Sequence, residues 1–226
     1  MKSAIWRFLT SHLRLRQLPS PSQGAGDTPF LLIHIDKTAC SSVYKALVPP
    51  TRSSEAEGGN IHRPGKHWTA QQWKNRLGPK EFHKCFKFAI VRNPFDRLRS
   101  KYQFSRHIKT EPFRDPFNRY CQTMSFSEWV IFLSEQNHKP LRSQAEYLCG
   151  SSPKELLVDY IGRYETLERD FQHICRLLGY PTSTTLPHLN KSPATTTDYR
   201  LFYDDASKSV VEAWYRDDLD LLDYRF

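Results

Sequence analysis

The sequence predicts an α/β protein with a central parallel sheet and helices on both faces. Three observations carry that expectation. Short apolar runs at residues 30–35 (FLLIHI), 86–91 (FKFAIV) and 156–164 (LLVDYIGRY) have the length of buried strands. Helix-like segments separate them, and strands joined through helices pair in parallel. The chain has 226 residues, 38% apolar and 25% charged, which is enough for one substantial core and excludes disorder throughout.

In chain order, the first stretch is MKSAIWRFLTSHLRLRQL, where Ile5, Trp6, Phe8, Leu9, Leu13 and Leu15 mix with Lys2, Arg7, His12, Arg14 and Arg16. It lacks the uninterrupted apolar core and small-residue cleavage site of a secretory signal. It also lacks an acidic residue, so a transit peptide or a membrane-surface helix stands beside a packed helix or a frayed extension. Residues 19–29, PSPSQGAGDTP, read as a linker. Residues 1–29 are therefore expected to be a basic amphipathic segment with its linker, and residues 30–226 the domain. No apolar run approaches the length that crosses a bilayer.

The first strand runs into Asp36-Lys37-Thr38-Ala39-Cys40-Ser41-Ser42, and a helix can start at Val43. Residues 49–66 form a long polar loop. Residues 69–77 suit a helix that has Thr69 at its N-cap or in its first turn and is stopped by Gly78-Pro79. After the second strand, Pro94 opens a helix to about His107. Residues 108–125 are irregular, as lids and binding loops are. Residues 126–136 form a helix with Ser125 or Ser127 near its start. The third strand is followed by a helix at 167–178, closed by Gly179 with Pro181 beyond. Residues 181–200 are a Thr- and Pro-rich loop. A last helix at 207–222 has Val210, Val211, Trp214, Leu219 and Leu222 on its apolar side. No internal repeat is visible.

A net charge of +9 points to anionic partners: a nucleotide, a sulfated or phosphorylated substrate, nucleic acid or a membrane surface. The cysteines, Cys40, Cys85, Cys121, Cys149 and Cys175, are odd in number, widely spaced and without a C-x-x-C pair. A zinc site is not expected. Reduced thiols in a cytosol-like compartment are the simplest reading, with one disulfide left open.

The strand, loop and helix at residues 30–47 make an anion cradle of P-loop-like, three-layer type. A helix start presents unpaired N–H groups and partial positive charge. Lys37 adds a full charge, and Thr38, Ser41 and Ser42 add hydroxyl donors. The loop has no glycine and does not match the Walker pattern. An ordinary turn with Ser41 or Ser42 as N-cap fits the loop alone equally well. A second strand end then adds weight. In VRNPFDRLRS, Arg92 sits at the C-terminal end of the second strand and Ser100 two helical turns beyond. Ligands bind at such strand ends, where an arginine can clamp a phosphate. The alternatives are a surface salt bridge for Arg92 and a back-bonded helix serine for Ser100. As a pair they favour a nucleotide with two separated anionic groups.

These stretches resemble a known family. HIDKTACSSVYKAL is similar to the 5′-phosphosulfate loop of the carbohydrate sulfotransferases, and FAIVRNPFDRLRSKY to their 3′-phosphate motif. VDYIGRYETLERDFQHICRLLG resembles the third block of the chondroitin and HNK-1 type enzymes, and the ending DDLDLLDYRF their C-terminus. The resemblance covers about residues 30–226. It implies 3′-phosphoadenosine 5′-phosphosulfate as donor and a hydroxyl of a carbohydrate-like acceptor, which can be polyanionic, with no metal and no nucleic acid. It implies that Lys37, Thr38, Ala39, Cys40, Ser41 and Ser42 hold the 5′ end and that Arg92 and Ser100 hold the 3′-phosphate. Asp36 departs from the proline common before the family's loop lysine, and a carboxylate there weakens the cradle's positive field.

Sulfuryl transfer needs charge neutralised on the leaving phosphate oxygen, a task for Lys37, and a base for the acceptor hydroxyl. Of nine histidines, His67 in GKHWTAQQW is the first candidate, just before a helix and between the two motifs. Capping or packing on that helix is its alternative. His34 reads as structural and His188 as a wall residue. Glu146 or Glu165 could act as base instead, although a structural salt bridge suits Glu165 better. Lys191 and Ser192, in LPHLNKS, are candidates to close over the nucleotide. Arg142, Gln144 and Tyr147 are candidates to contact a sugar or sulfate. Arg97, Arg99 and Lys101 read as a basic outer face of their helix.

Two other classes stay open. For a kinase or other nucleotide transferase, the Walker glycines and an obvious Walker-B carboxylate after a strand are missing. A basic polyanion-binding protein would show a stripe of charge rather than groups at strand ends, and a retained fold that has lost catalysis stays open through the Asp36 departure. Many enzymes of the resembled family are Golgi proteins with an N-terminal anchor. A bacterial-type cytoplasmic enzyme is therefore expected, with the Golgi lumen if the chain is a truncated eukaryotic relative.

Overall fold

Phe86–Val91 is buried at every residue, and it becomes the central strand of a three-stranded sheet. The computed structural model describes residues 29–48, 67–107, 116–152, 155–187 and 198–226. In chain order the elements are β1 (Phe30–Leu32), α1 (Cys40–Leu47), α2 (Ala70–Leu77), α3 (Pro79–Lys84), β2 (Phe86–Val91), α4 (Pro94–His107), a 3-10 helix (Pro116–Gln122), α5 (Phe126–Glu135), α6 (Gln144–Leu148), β3 (Tyr160–Arg163), α7 (Leu167–Leu178), a 3-10 helix (Tyr199–Phe202), α8 (Asp205–Trp214) and α9 (Arg216–Leu222). The N-terminal basic segment, most of its linker, His188, Lys191 and Ser192 lie outside the described residues. The chain divides into two compact units, Met1–Val91 with Gln144–Leu189 and Arg92–Ser143 with Asn190–Phe226.

The first unit contains the sheet, in the order β1-β2-β3 with every pair parallel, as the strand–helix alternation predicts. Phe30 pairs with Phe86, and Phe88 with Tyr160. Side chains alternate across a strand. Phe86, Phe88 and Ile90 pack with Val43 and Leu47 of α1 and with Phe171, Ile174 and Leu178 of α7. Lys87, between them, is also buried, and its Nζ lies 2.7 Å from both Asp159 Oδ2 and the Cys85 carbonyl oxygen. Asp159 also accepts the Lys87 N–H at 2.8 Å. β3 then begins at Tyr160, directly after Asp159. β3 is shorter than the predicted 156–164, and Leu156 instead forms an isolated antiparallel bridge with Cys149.

Helix boundaries follow local chemistry. Thr69 caps α2 in a reciprocal box with Gln72, and Ser125 caps α5 likewise with Glu128. Gly78, at φ 77°, ends α2, but Pro79 then opens α3. Proline at a first helical position restarts a helix as readily as it stops one. Gly179, at φ 74°, closes α7 as predicted. The expected last helix is two helices, broken at Tyr215, whose φ is −120°. Its buried hydroxyl donates to the Leu141 carbonyl at 3.0 Å, which fixes the break. Within the second unit, Phe95, Leu98 and Tyr102 of α4 pack with Trp129, Val130 and Leu133 of α5 and with Val211 of α8. All five cysteines are free thiols, four of them buried and Cys85 partly exposed.

β3 and α7 are joined by one carboxylate. Asp170, 6% exposed, accepts from the Arg163 N–H at 2.8 Å, the Thr166 hydroxyl at 2.8 Å and the Tyr160 hydroxyl at 3.2 Å. Gly162 permits that approach, because a Cβ there would sit 2.8 Å from Ile90 Cδ1 and 3.2 Å from Asp170 Cβ. Burial and the Asp170 carboxylate push the Tyr160 phenol up to about 12. Asp170→Ala leaves these donors buried without their acceptor. We expect it to lower unfolding stability by about 3 kcal/mol, read from urea denaturation, with no change in helix content of the folded state.

Candidate active site

The loop after β1 is built on backbone conformation. Ile33 and Ile35 are fully buried and anchor the chain before it turns. Asp36, Lys37, Thr38 and Ala39 form the turn, and α1 begins at Cys40, three residues before the predicted start. Lys37 and Ala39 have φ of 67° and 62°, the left-handed region that favours glycine. A turn of this kind makes a concave row of N–H groups suited to an anion. Strained non-glycine residues cluster where a structure over-determines them, commonly at ligand sites. α1 has no side-chain N-cap, since Ala39 holds that position. The Ser42 and Val43 N–H groups donate to the Ala39 carbonyl at 3.0 and 3.2 Å, so the N–H groups that face outward are those at the very first positions.

The loop's predicted side chains divide into two groups. Thr38 is fully buried, and its hydroxyl donates to the Ile35 carbonyl at 2.9 Å and lies 3.0 Å from Cys40 Sγ. Its side chain holds the turn, which leaves its backbone for an anion. Cys40 is buried, and burial raises its thiol pKa, so it is a packing residue rather than a thiolate. Ser42 is also buried, whereas Lys37 and Ser41 are partly exposed.

His67 lies in the same unit. Its Nδ1 is 3.3 Å from the His34 carbonyl oxygen and 3.5 Å from Asp36 Oδ1. The rings of His34 and His67 meet edge-to-face with centroids 5.2 Å apart. His67 thus packs against His34 and Asp36. Glu146 and Glu165, the alternative bases, are exposed.

In the second unit, Arg92 is 8% exposed. Its Nε and Nη2 lie 2.8 and 2.7 Å from Asp96 Oδ2, one helical turn on. Asp96 Oδ1 is 3.4 Å from Arg99 Nη2, so one carboxylate orients two guanidiniums. Ser100 is buried. Asn93 is the start signal of α4. Its Oδ1 accepts the Phe95 N–H at 3.0 Å, while its amide donates to the Arg225 carbonyl at 2.7 Å and the Tyr199 hydroxyl at 3.1 Å. The expected basic outer face of α4 is corrected here. Arg97 and Arg99 are buried, Arg97 donating to the Arg142 carbonyl at 2.9 Å and Arg99 lying over the Phe202 ring. Only Lys101 of the three is partly exposed. Arg142 is exposed, whereas Gln144 is fully buried in α6, a helix the sequence reading missed.

Asn93 and Asp96 are residues that sequence reasoning missed at these positions, and for Asp36, read there only as weakening the loop's charge, it missed the contact with His67. Asp96 had a signal, an acid four residues after an arginine on a helix, and Asn93 had another, an Asn directly before Pro at a helix start. Asp36 had none, because its partner is distant in sequence. Among the described residues, no three His, Cys, Asp or Glu side chains gather as a metal site, and no helix is long and apolar enough to cross a membrane.

Comparison with known proteins gives a consistent result. The chain is 24% identical over 230 residues to carbohydrate sulfotransferase 11 of Danio rerio, an alignment covering 88% of this chain and 64% of that one. It is 30% identical over 131 residues to carbohydrate sulfotransferase 10 of Homo sapiens, covering 46% of this chain and 37% of the relative. An uncharacterized protein of Archaeoglobus fulgidus is 28% identical over 110 residues, covering 48% of this chain and 79% of its own. The chain thus spans less than two thirds of the length of the named sulfotransferases it matches. No solved structure gives a significant match. The model of the Sulfotransferase family matches residues 25–225, nearly the whole chain, and the protein belongs to that family.

Proposed function

We propose that this protein transfers the sulfuryl group of 3′-phosphoadenosine 5′-phosphosulfate to a hydroxyl of a carbohydrate acceptor. The observation that carries the reading is the loop after β1: two non-glycine residues in left-handed conformation, a lysine at one of them, and an uncapped helix start directly behind. A loop that needs this backbone without glycines is hard to explain as a simple connection. Family membership supplies the chemistry that such a loop serves.

Each unit offers its own candidate groups for the nucleotide. Lys37, Ser41 and the backbone N–H groups from Thr38 to Ser41 take the 5′ phosphosulfate. Arg92, pre-set by Asp96, and Ser100 take the 3′-phosphate. Bound there, the nucleotide supplies an activated sulfuryl group. Lys37 neutralises the charge that grows on the leaving phosphate oxygen. His67 accepts the proton of the attacking hydroxyl. Arg142, which is exposed, offers a cationic contact to the acceptor, and the buried Gln144 contributes by shaping α6. Lys191 and Ser192 retain their proposed part in covering the nucleotide.

Calorimetric titration tests the reading with 3′-phosphoadenosine 5′-phosphate, using 5′-AMP and ATP as controls. Selective binding of the bisphosphate is expected, and a preference for ATP would overturn the proposal. Arg92→Ala should weaken that binding about ten- to hundredfold, the cost of one charge-assisted contact. Lys37→Ala should lower the transfer rate about a hundred- to thousandfold while changing the bisphosphate Kd much less. Unaltered transfer to a carbohydrate acceptor in that variant would remove Lys37 from the mechanism.

A further inference from the structure

Asp36 stands where the resembled family commonly has a proline. Its carboxylate lies against the histidine proposed as base, not merely beside the lysine. The two polar atoms at His67 Nδ1 are the His34 carbonyl oxygen at 3.3 Å and Asp36 Oδ1 at 3.5 Å. Both are acceptors and neither can donate. A neutral imidazole has one N–H, and only the tautomer with that hydrogen on Nδ1 satisfies this setting. A ring flip would put a carbon-bound hydrogen against the two oxygens in place of Nδ1, and the perpendicular His34 ring, centroid to centroid 5.2 Å away, packs against the imidazole.

We infer that Asp36 is a positioning residue: together with the His34 carbonyl it keeps the proton of neutral His67 on Nδ1 and so leaves the lone pair on Nε2. This inference rests on the proposed role of His67 as base. In the step it serves, the acceptor oxygen forms its bond to sulfur as the bond from sulfur to the phosphate oxygen breaks. The acceptor's proton passes to His67 Nε2, and the charge on the released phosphate oxygen is met by Lys37. The opposite tautomer would present an N–H to the incoming hydroxyl and could not accept its proton. Asp36 does not contact the reacting atoms in this scheme and acts only through the ring it orients.

Two measurements test it on the whole chain. The first is nitrogen-15 NMR of histidine-labelled protein without ligand, with the His67 signal identified by its loss in His67→Gln. In the wild-type protein with His67 neutral, the signal should be that of the Nδ1–H form. Asp36→Ala should shift it toward a mixture, and Asp36→Asn should fall between, because its amide oxygen accepts but bears no charge. The second is steady-state transfer. Asp36→Ala should lower kcat about ten- to hundredfold, with the Kd for 3′-phosphoadenosine 5′-phosphate within about twofold of wild type. An Nε2–H signal in the wild type, or an unchanged signal and kcat in Asp36→Ala, overturns the inference. So does tighter bisphosphate binding with raised kcat/KM, which would mean that Asp36 only dilutes the loop's charge. Full activity in His67→Ala would instead remove His67 as base, and the tautomer signal would still report whether Asp36 sets the ring.

Discussion

The Thr38 hydroxyl donates to the Ile35 carbonyl at 2.9 Å in a fully buried setting, and the conformation of the loop after β1 depends on that bond. Left-handed backbone at Lys37 and Ala39 costs about 1–3 kcal/mol at each position. A single net hydrogen bond returns about 1 kcal/mol. The remainder comes from burial on either side: Ile33 and Ile35 before the turn, Cys40, Val43 and Leu47 after it. The turn is thus held at both ends by buried side chains. An unusual backbone can persist there without glycine, and it presents N–H groups and a lysine rather than hiding them.

The arginines of the second unit show a related economy of charge. Residues 92–100 carry three buried guanidiniums, on Arg92, Arg97 and Arg99, and one acid, Asp96. Burying cations is costly unless hydrogen bonds or counter-charges meet them. Asp96 serves Arg92 and Arg99, and Arg97 is met by a backbone carbonyl. Positive charge remains in excess over this short segment, and the arrangement fixes each guanidinium in place. A fixed guanidinium loses little side-chain entropy when it takes a phosphate, so the ordering has been done during folding.

Elements that depend on near neighbours were legible in the sequence. The buried strand 86–91, the helix from Pro94 to His107, the caps at Thr69 and Ser125 and the glycine stop at Gly179 match because the deciding partners lie within four residues. The start of α3 at Pro79 was misread because proline marks both ends of helices. The break at Tyr215 is set by a carbonyl 74 positions away. The burial of Arg97 is likewise set by a carbonyl 45 positions away, and no periodicity records it. At the site, the anion-binding residue types were visible, but their division into groups that face a ligand and groups that hold the turn was not. Thr38 and Ser41 are both small hydroxyls in one loop, and only the fold makes the first a fastener and the second a candidate donor.

The same distinction changes the meaning of Asp36. From sequence, a carboxylate beside Lys37 subtracts from the cradle's field, and a nearly neutral pair would be a poor anion site. The side chain of Asp36 is 42% exposed, however, so water screens its field. The N–H groups of the turn and the helix start do not lose their direction when a neighbouring charge is screened. Meanwhile the carboxylate lies on the one face of His67 where an acceptor selects a tautomer. A proline at this position would stiffen the turn but could not accept from an imidazole. The acid gives up some backbone rigidity and some positive field, and it adds control over which nitrogen of the base is free.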